Sequence, residues 1–155
     1  MIPNQSGLFT KLTPLTKEFI QTSSTSSLII ASHKHKLIIG YNDWRDQWEF
    51  PAGKRDVTDA DSYATARREF FEETHLRAEN LRLLGFVTIH TFTLETRYRA
   101  IFTANLTQFS SFIPQSGDEM SKLALVAPTK LTSLNMAAGD LAIYQQLQKE
   151  GLFNV

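Results

Sequence analysis

The chain has 155 residues, with 16 basic and 16 acidic side chains and no cysteine. That length suits one domain spanning residues 1–155, because two independent domains would each be unusually small. Balanced charge leaves no global positive field to recruit nucleic acid or anionic membrane, and the absence of cysteine excludes disulfides and thiolate metal sites. From Met1 to Gly7 no basic stretch leads into an apolar run, and no apolar stretch nears the ~18–20 residues of a membrane span. The expectation is a soluble, cytoplasmic protein.

In chain order, the short polar run from Thr22 to Ser27 reads as a lead-in to a strand. Leu28-Ile29-Ile30-Ala31 and Lys36-Leu37-Ile38-Ile39-Gly40-Tyr41 are β-branched runs separated by Ser32-His33-Lys34-His35, which predicts a hairpin. Gln47-Trp48-Glu49-Phe50 alternates into a turn at Pro51 and Gly53. Asp59 or Asp61 is placed to cap a helix running to about His75, since residues 62–73 hold no breaker. Residues 81–93 and 96–106 are rich in β-branched and aromatic side chains, 122–127 form a further short strand, and 137–149 a second helix. Strands, helix, strands, helix predict an α/β fold with a mixed sheet covered on both faces.

Arg68-Glu69-Phe70-Phe71-Glu72-Glu73 carries the chemistry. At 3.6 residues per turn, Glu69, Glu72 and Glu73 fall within about a 100° arc, and Tyr63, Ala66, Phe70 and Thr74 form a stripe largely opposite. Like charges so spaced repel by roughly 0.2–0.5 kcal/mol per pair. A divalent cation would turn that repulsion into attraction, and three oxygen donors suit Mg²⁺, with Mn²⁺ as a substitute. Taken alone, such a run is by default a solvated acidic face with Arg68 as a local partner.

Two neighbouring patterns favour the metal. Residues 53–76 resemble the Nudix box, G-x5-E-x7-R-E-U-x-E-E-x-G-U with U aliphatic, matching at Arg68, Glu69, Glu72, Glu73 and Leu76. Ahead of it, Trp48-Glu49-Phe50-Pro51-Ala52-Gly53-Lys54 is similar to the W-x-F-P-G-G-K segment of MutT-like members. Three departures stand out. The interval from Gly53 to Arg68 is one residue longer, leaving Asp59, Asp56 or Asp61 for the first acidic position; a loop tolerates this cheaply. Phe70 replaces an aliphatic residue, and His75 replaces the glycine of a left-handed helix end, at a cost on the order of 1 kcal/mol. The spacing is also similar to that of coenzyme A diphosphatases of the family, whose longer upstream signature is absent here.

The resemblance implies a Nudix-type α/β/α sandwich with a central mixed β-sheet. It implies Mg²⁺ held by Glu69, Glu72 and Glu73 with a main-chain carbonyl in the Ala52-Gly53 turn, and Arg68 orienting one glutamate. It also implies a further glutamate, ligand or general base, on a downstream loop. Glu119 is the first candidate, with Asp118 and Glu95 as alternatives. Lys54 and Arg55, beside the turn, are candidates to meet phosphate oxygens. Trp44, Trp48 and Phe92 are candidates to stack on a base, although aromatic residues in strands are ordinarily core. His33, His35 and His90 lack metal-ligand spacing and read as surface or sheet residues.

The activity implied is hydrolysis of a nucleoside diphosphate linked to X, in the first instance by a MutT-like nucleoside triphosphate pyrophosphohydrolase acting on nucleotides such as 8-oxo-dGTP. A coenzyme A or dinucleotide diphosphatase is the alternative, and a Nudix-fold module that binds a nucleotide without cleaving it belongs to a different class. The expected partner is a small nucleotide, with no membrane or nucleic acid; a homodimer is left open.

Overall fold

The computed structural model describes residues 2–4, 7–9, 24–91, 96–111 and 118–151. Two three-residue strands, β1 (Ile2–Asn4) and β2 (Gly7–Phe9), pair with each other and join a larger sheet. They are too short for any periodicity to mark them in the sequence. The predicted hairpin follows as β3 (Ser26–His33) and β4 (Lys36–Asn42), with His33 opposite Lys36. Its loop is only Lys34 and His35, both at positive φ (49° and 63°). That is the two-residue geometry whose twist matches the flanking strands.

β5 (Gln47–Glu49) pairs with β4, and β6 (Ala52–Lys54) pairs with β3, Gly53 lying opposite Ser27. The expected tight turn at Pro51–Gly53 is therefore corrected: Gly53 sits in a strand, outside the positive-φ region. Helix α1 (Ser62–Thr74) is capped by Asp61, whose carboxylate accepts from the Ala64 N–H at 2.9 Å. It ends where His75 adopts φ 60° and donates its N–H to the Phe71 carbonyl, so a histidine does take up the left-handed position. The long strands β7 (Arg82–Thr91) and β8 (Thr96–Asn105), then β9 (Met120–Val126), a 3-10 turn (Pro128–Ser133) and α2 (Ala138–Lys149) complete the order. β7, β8, β9 and α2 match the sequence reading apart from one or two residues at their ends, whereas the 3-10 turn has no counterpart in it.

The sheet runs β1-β2-β7-β8-β3-β4-β5, with β6 beside β3 and β9 beside β4. The β3–β8 pairing is parallel, from Ser26 opposite Arg99 to Ser32 opposite Asn105, and the other pairings are antiparallel. The sheet is thus mixed, as expected. β3 is buried on both faces, which is why it reads as a continuous apolar run. Leu28 and Ile30 pack with Ile143, Tyr144 and Leu147 of α2, while Ile29 and Ala31 pack with Ala66 and Phe70 of α1. Phe70 is fully buried, which stabilises the α1 layer by about 1.5–3 kcal/mol. The aromatic ring at this box position joins a buried cluster that includes Ile29, Ala31, Ala100 and Phe102 of the sheet. Among the described residues no helix is long and apolar enough to cross a membrane.

Candidate active site

The polar side of α1 lies over β6, and the approach is close. A Cβ placed on Gly53 would overlap the carboxyl group of Glu69, so a side chain here and the Glu69 carboxylate cannot share the space. The glycine serves close approach of backbone to carboxylate, not a turn. One helical turn further on, Glu73 accepts from the Ala52 N–H at 3.2 Å and is only 8% exposed. The sequence pattern set all three glutamates on a polar face. In the fold Glu73 joins Phe70 and Thr74 on the buried side, whereas the side chain of Glu72 is 55% exposed.

Arg68 organises the outer part of this face. Its Nε and Nη2 fork onto Asp59 at 3.1 and 2.8 Å, its Nη1 donates to Glu69 at 2.8 Å and to Glu72 at 3.3 Å, and Nη2 also reaches the Lys54 carbonyl. The planar, always-charged fork suits this multiple pairing. Of the three acids left open for the first box position, Asp59 is the one Arg68 grips. Asp59 also accepts from the Asp56 N–H and the Thr65 hydroxyl. These bonds, Arg68 foremost, hold its carboxyl far below the usual range.

A second arginine lies outside the predicted set. Arg45, in the β4–β5 loop, pairs with Glu49 through Nε (2.8 Å) and Nη2 (3.0 Å), and the same Nη2 donates to Glu119 at 2.7 Å. Buried Asn42 also bridges, its amide donating to Glu49 at 3.0 Å and to Glu119 at 3.1 Å. Glu49 stood in plain view inside the W-E-F-P segment, but nothing in local spacing tied it or Arg45 to residue 119.

The two clusters meet electrostatically at Glu73. Burial and the charges of Glu119, Glu69 and Glu49 push its carboxyl up to about 9, against the pull of the Ala52 N–H. Burial likewise raises Glu69 despite Arg68. Burial raises Glu49 too, but its bonds to Arg45, Gln47 and Asn42 outweigh this and leave it lowered. The fold therefore seats Glu69 and Glu73 of the predicted set against the Ala52–Gly53 backbone, with Glu119 near enough for its charge to act on Glu73 and with Glu72 and Arg68 at the rim.

The donor chemistry fits Mg²⁺ or Mn²⁺, because these are hard oxygen ligands whose mutual repulsion a divalent cation relieves. Among the described residues no three acidic or histidine side chains converge on one point; Arg68 pairs with Glu69 and Glu72, and Arg45 with Glu49 and Glu119.

The remaining candidates fall in different places. The Lys54 side chain is exposed beside the site. Arg55 donates to the Asp59 and Ala60 carbonyls and braces the loop ahead of α1. Trp44 is 74% exposed, next to Arg45. Trp48 lies on the α2 side of the sheet, edge-on to Tyr41, and packs against that core. Asp118 approaches His75 at 3.8 Å at the far end of α1. His33 is buried in β3 with Nδ1 2.8 Å from the Leu106 carbonyl, and His35 is exposed in the hairpin loop. Phe92 and Glu95 lie outside the described residues, as does the side chain of His90.

The raised Glu73 makes stability fall with pH when a chelator is present. Between about 4.5 and 9 the folded protein keeps a proton that the unfolded chain has lost, so the slope is downward, at most about 1.4 kcal/mol per pH unit. Asp140, raised to about 6 by burial, adds to it at the acid end. Asp59 has the opposite sign: its contribution is present above its unfolded value and is lost only in stronger acid. Urea midpoints from pH 6.5 to 9 should fall for wild type and stay flatter for Glu73→Gln; equal slopes would remove the assignment to Glu73.

A family model described as NUDIX domain matches residues 22–147. No curated protein matches the chain by sequence. Among solved structures, the fold is similar to the NUDIX domain of Shewanella oneidensis NrtR complexed with ADP ribose, with a TM-score of 0.68, 14% identity, and 88% of this chain and 93% of that one covered. It is also similar to the Bacillus subtilis pyrophosphohydrolase BsRppH, at TM-score 0.67 and 18% identity, covering 93% of this chain and 92% of that one. A third is the MutT protein from Bacillus halodurans, at TM-score 0.61 and 21% identity, covering 77% of this chain and 78% of that one. The sandwich with a central mixed sheet is thus of the Nudix type.

Proposed function

The chain belongs to the Nudix family, and from that premise we propose that it is a hydrolase of phosphoanhydride bonds, cleaving a nucleoside triphosphate to the monophosphate and pyrophosphate in a divalent-metal-dependent reaction. Oxidised purine nucleotides such as 8-oxo-dGTP are included among its substrates, and the reaction takes place in the cytoplasm. The observation that carries this reading is the Glu69–Glu73 face seated against the Ala52-Gly53 backbone with Glu119 beside it.

When bound, Mg²⁺ supplies charge neutralisation on the phosphate oxygens and a more acidic water. Glu69, Glu72 and Glu73, with a main-chain carbonyl at Ala52–Gly53, would hold it. Arg68 keeps Glu69 in place while anchored on Asp59. Glu119 accepts the proton of the attacking water; the new P–O bond forms as the bridging P–O bond breaks, and pyrophosphate carries the electron pair away. Lys54, exposed at the end of β6, meets phosphate oxygens as a point charge. Trp44 offers a free aromatic face for the base.

The W-x-F-P-x-G-K segment favours triphosphates. One observation favours a dinucleotide or coenzyme A diphosphatase instead: the extra residue between Asp59 and Arg68, to which the ADP-ribose complex of the Shewanella domain lends weight. Measuring kcat/KM with Mg²⁺ for dGTP, 8-oxo-dGTP, ADP-ribose, NADH and coenzyme A separates them. The triphosphates should lead. A dinucleotide or coenzyme A value at least tenfold above them reverses the ranking, and tight binding without turnover makes the chain a nucleotide-binding module.

A further inference from the structure

Glu119 comes from the segment just ahead of β9, far in sequence from the helix whose carboxylates it faces, so something must hold it there. Two groups do. Arg45 Nη2 and Asn42 Nδ2 both donate to the same Glu119 oxygen, at 2.7 and 3.1 Å. Both are also bound to Glu49 on β5, whose other oxygen takes the Arg45 Nε and the Gln47 amide. Glu49 is thus saturated with donors and 8% exposed, a fixed anchor rather than a group free to act on a ligand. The loop that presents Arg45 is itself shaped by Asn42, whose side-chain oxygen accepts the N–H groups of Trp44 and Arg45 at 3.0 and 3.1 Å. Asn42 is completely buried, so the turn is built on a rigid point of β4.

We propose that Arg45 is a positioning residue for the hydrolytic reaction: clamped between Glu49 and Glu119, it fixes the Glu119 carboxylate against the Glu69–Glu73 face. This rests on the functional reading above. An arginine suits the task because its fork pairs with two carboxylates at once, whereas a lysine presents a single point charge. The guanidinium also offsets repulsion among acids that would otherwise drive the Glu119 segment away from α1. Its side chain is 46% exposed, so replacing it does not open the core.

The test is a double-mutant cycle on Arg45→Met and Glu119→Gln, with Arg45→Lys as a third variant, in Mg²⁺ with the best substrate of the panel. Arg45→Met should lower kcat tenfold or more with KM within about threefold, and Arg45→Lys should recover part of the loss. In the Glu119→Gln background, Arg45→Met should lower kcat by less than threefold, because its effect passes through Glu119. Additive losses would mean that Arg45 acts by itself, and a raised KM at unchanged kcat would mean that it binds substrate; either result overturns the proposal, as does an unaffected Arg45→Met. Should Arg45→Met lose its thermal unfolding transition, Arg45→Lys, which keeps the charge, decides through the same cycle. A wild type that cleaves no nucleotide of the panel overturns the hydrolytic reading itself, which distinguishes the two failures.

Discussion

The double variant Glu72→Gln/Glu73→Gln is expected to lose turnover by about 10³-fold or more, roughly 4 kcal/mol of transition-state stabilisation, without loss of stability in chelator. The two halves of that expectation come from one feature. Glu73 is buried beside three other carboxylates, and its carboxyl is raised to about 9, so in the absence of a cation it is held protonated at neutral pH. A glutamine keeps its size and hydrogen-bonding capacity while removing the titration, and so sits in the metal-free protein at little cost. What it cannot do is supply charge to a cation. Titration with Mn²⁺ should show a tight site in the wild type that is absent from the variant. Equal binding by both proteins would remove the metal from this helix, whatever the kinetics.

Gly53→Ala should reduce kcat by about 10²-fold while leaving the fold intact, because a fixed reacting geometry is sensitive to displacements of about 1 Å. The added methyl falls on the carboxyl group of Glu69, the flexible end of a side chain, which can swing aside. The backbone at residue 53 lies outside the positive-φ region, so alanine introduces no conformational strain. The stability cost should stay below about 1 kcal/mol. Activity is another matter, since Glu69 cannot move without leaving the site shared with Glu73 and weakening its bond to Arg68. An alanine variant with wild-type turnover would show that the Glu69 carboxylate need not stand against β6.

Much of the architecture was legible along the chain. The hairpin followed from two β-branched runs, and α1 from a capping aspartate and an unbroken helical stretch. That Glu69, Glu72 and Glu73 share a helical sector is a consequence of 3.6 residues per turn, and no tertiary contact is needed to know it. Local patterns of this kind are set by covalent spacing and survive in any fold that keeps the element.

The tertiary structure decided what spacing cannot. It set how deep the three glutamates lie: Glu73, nearest the apolar stripe, is buried against the Ala52 N–H, Glu69 is partly buried over Gly53 and Glu72 is exposed, with β6 paired to β3 beneath one edge of α1. It chose Asp59 over Asp56 and Asp61, because the loop ahead of α1 turns that carboxylate onto Arg68, while Asp61 is used as the helix cap. It placed Gly53 in a strand, where the need for glycine comes from a carboxylate that arrives from sixteen residues downstream. And it joined Arg45 to Glu119, a pair separated by 74 positions and related only through the register of β4 with β5 and β9. A sequence records which side chains are available; which of them meet across a sheet is set by pairing energies summed over the whole chain.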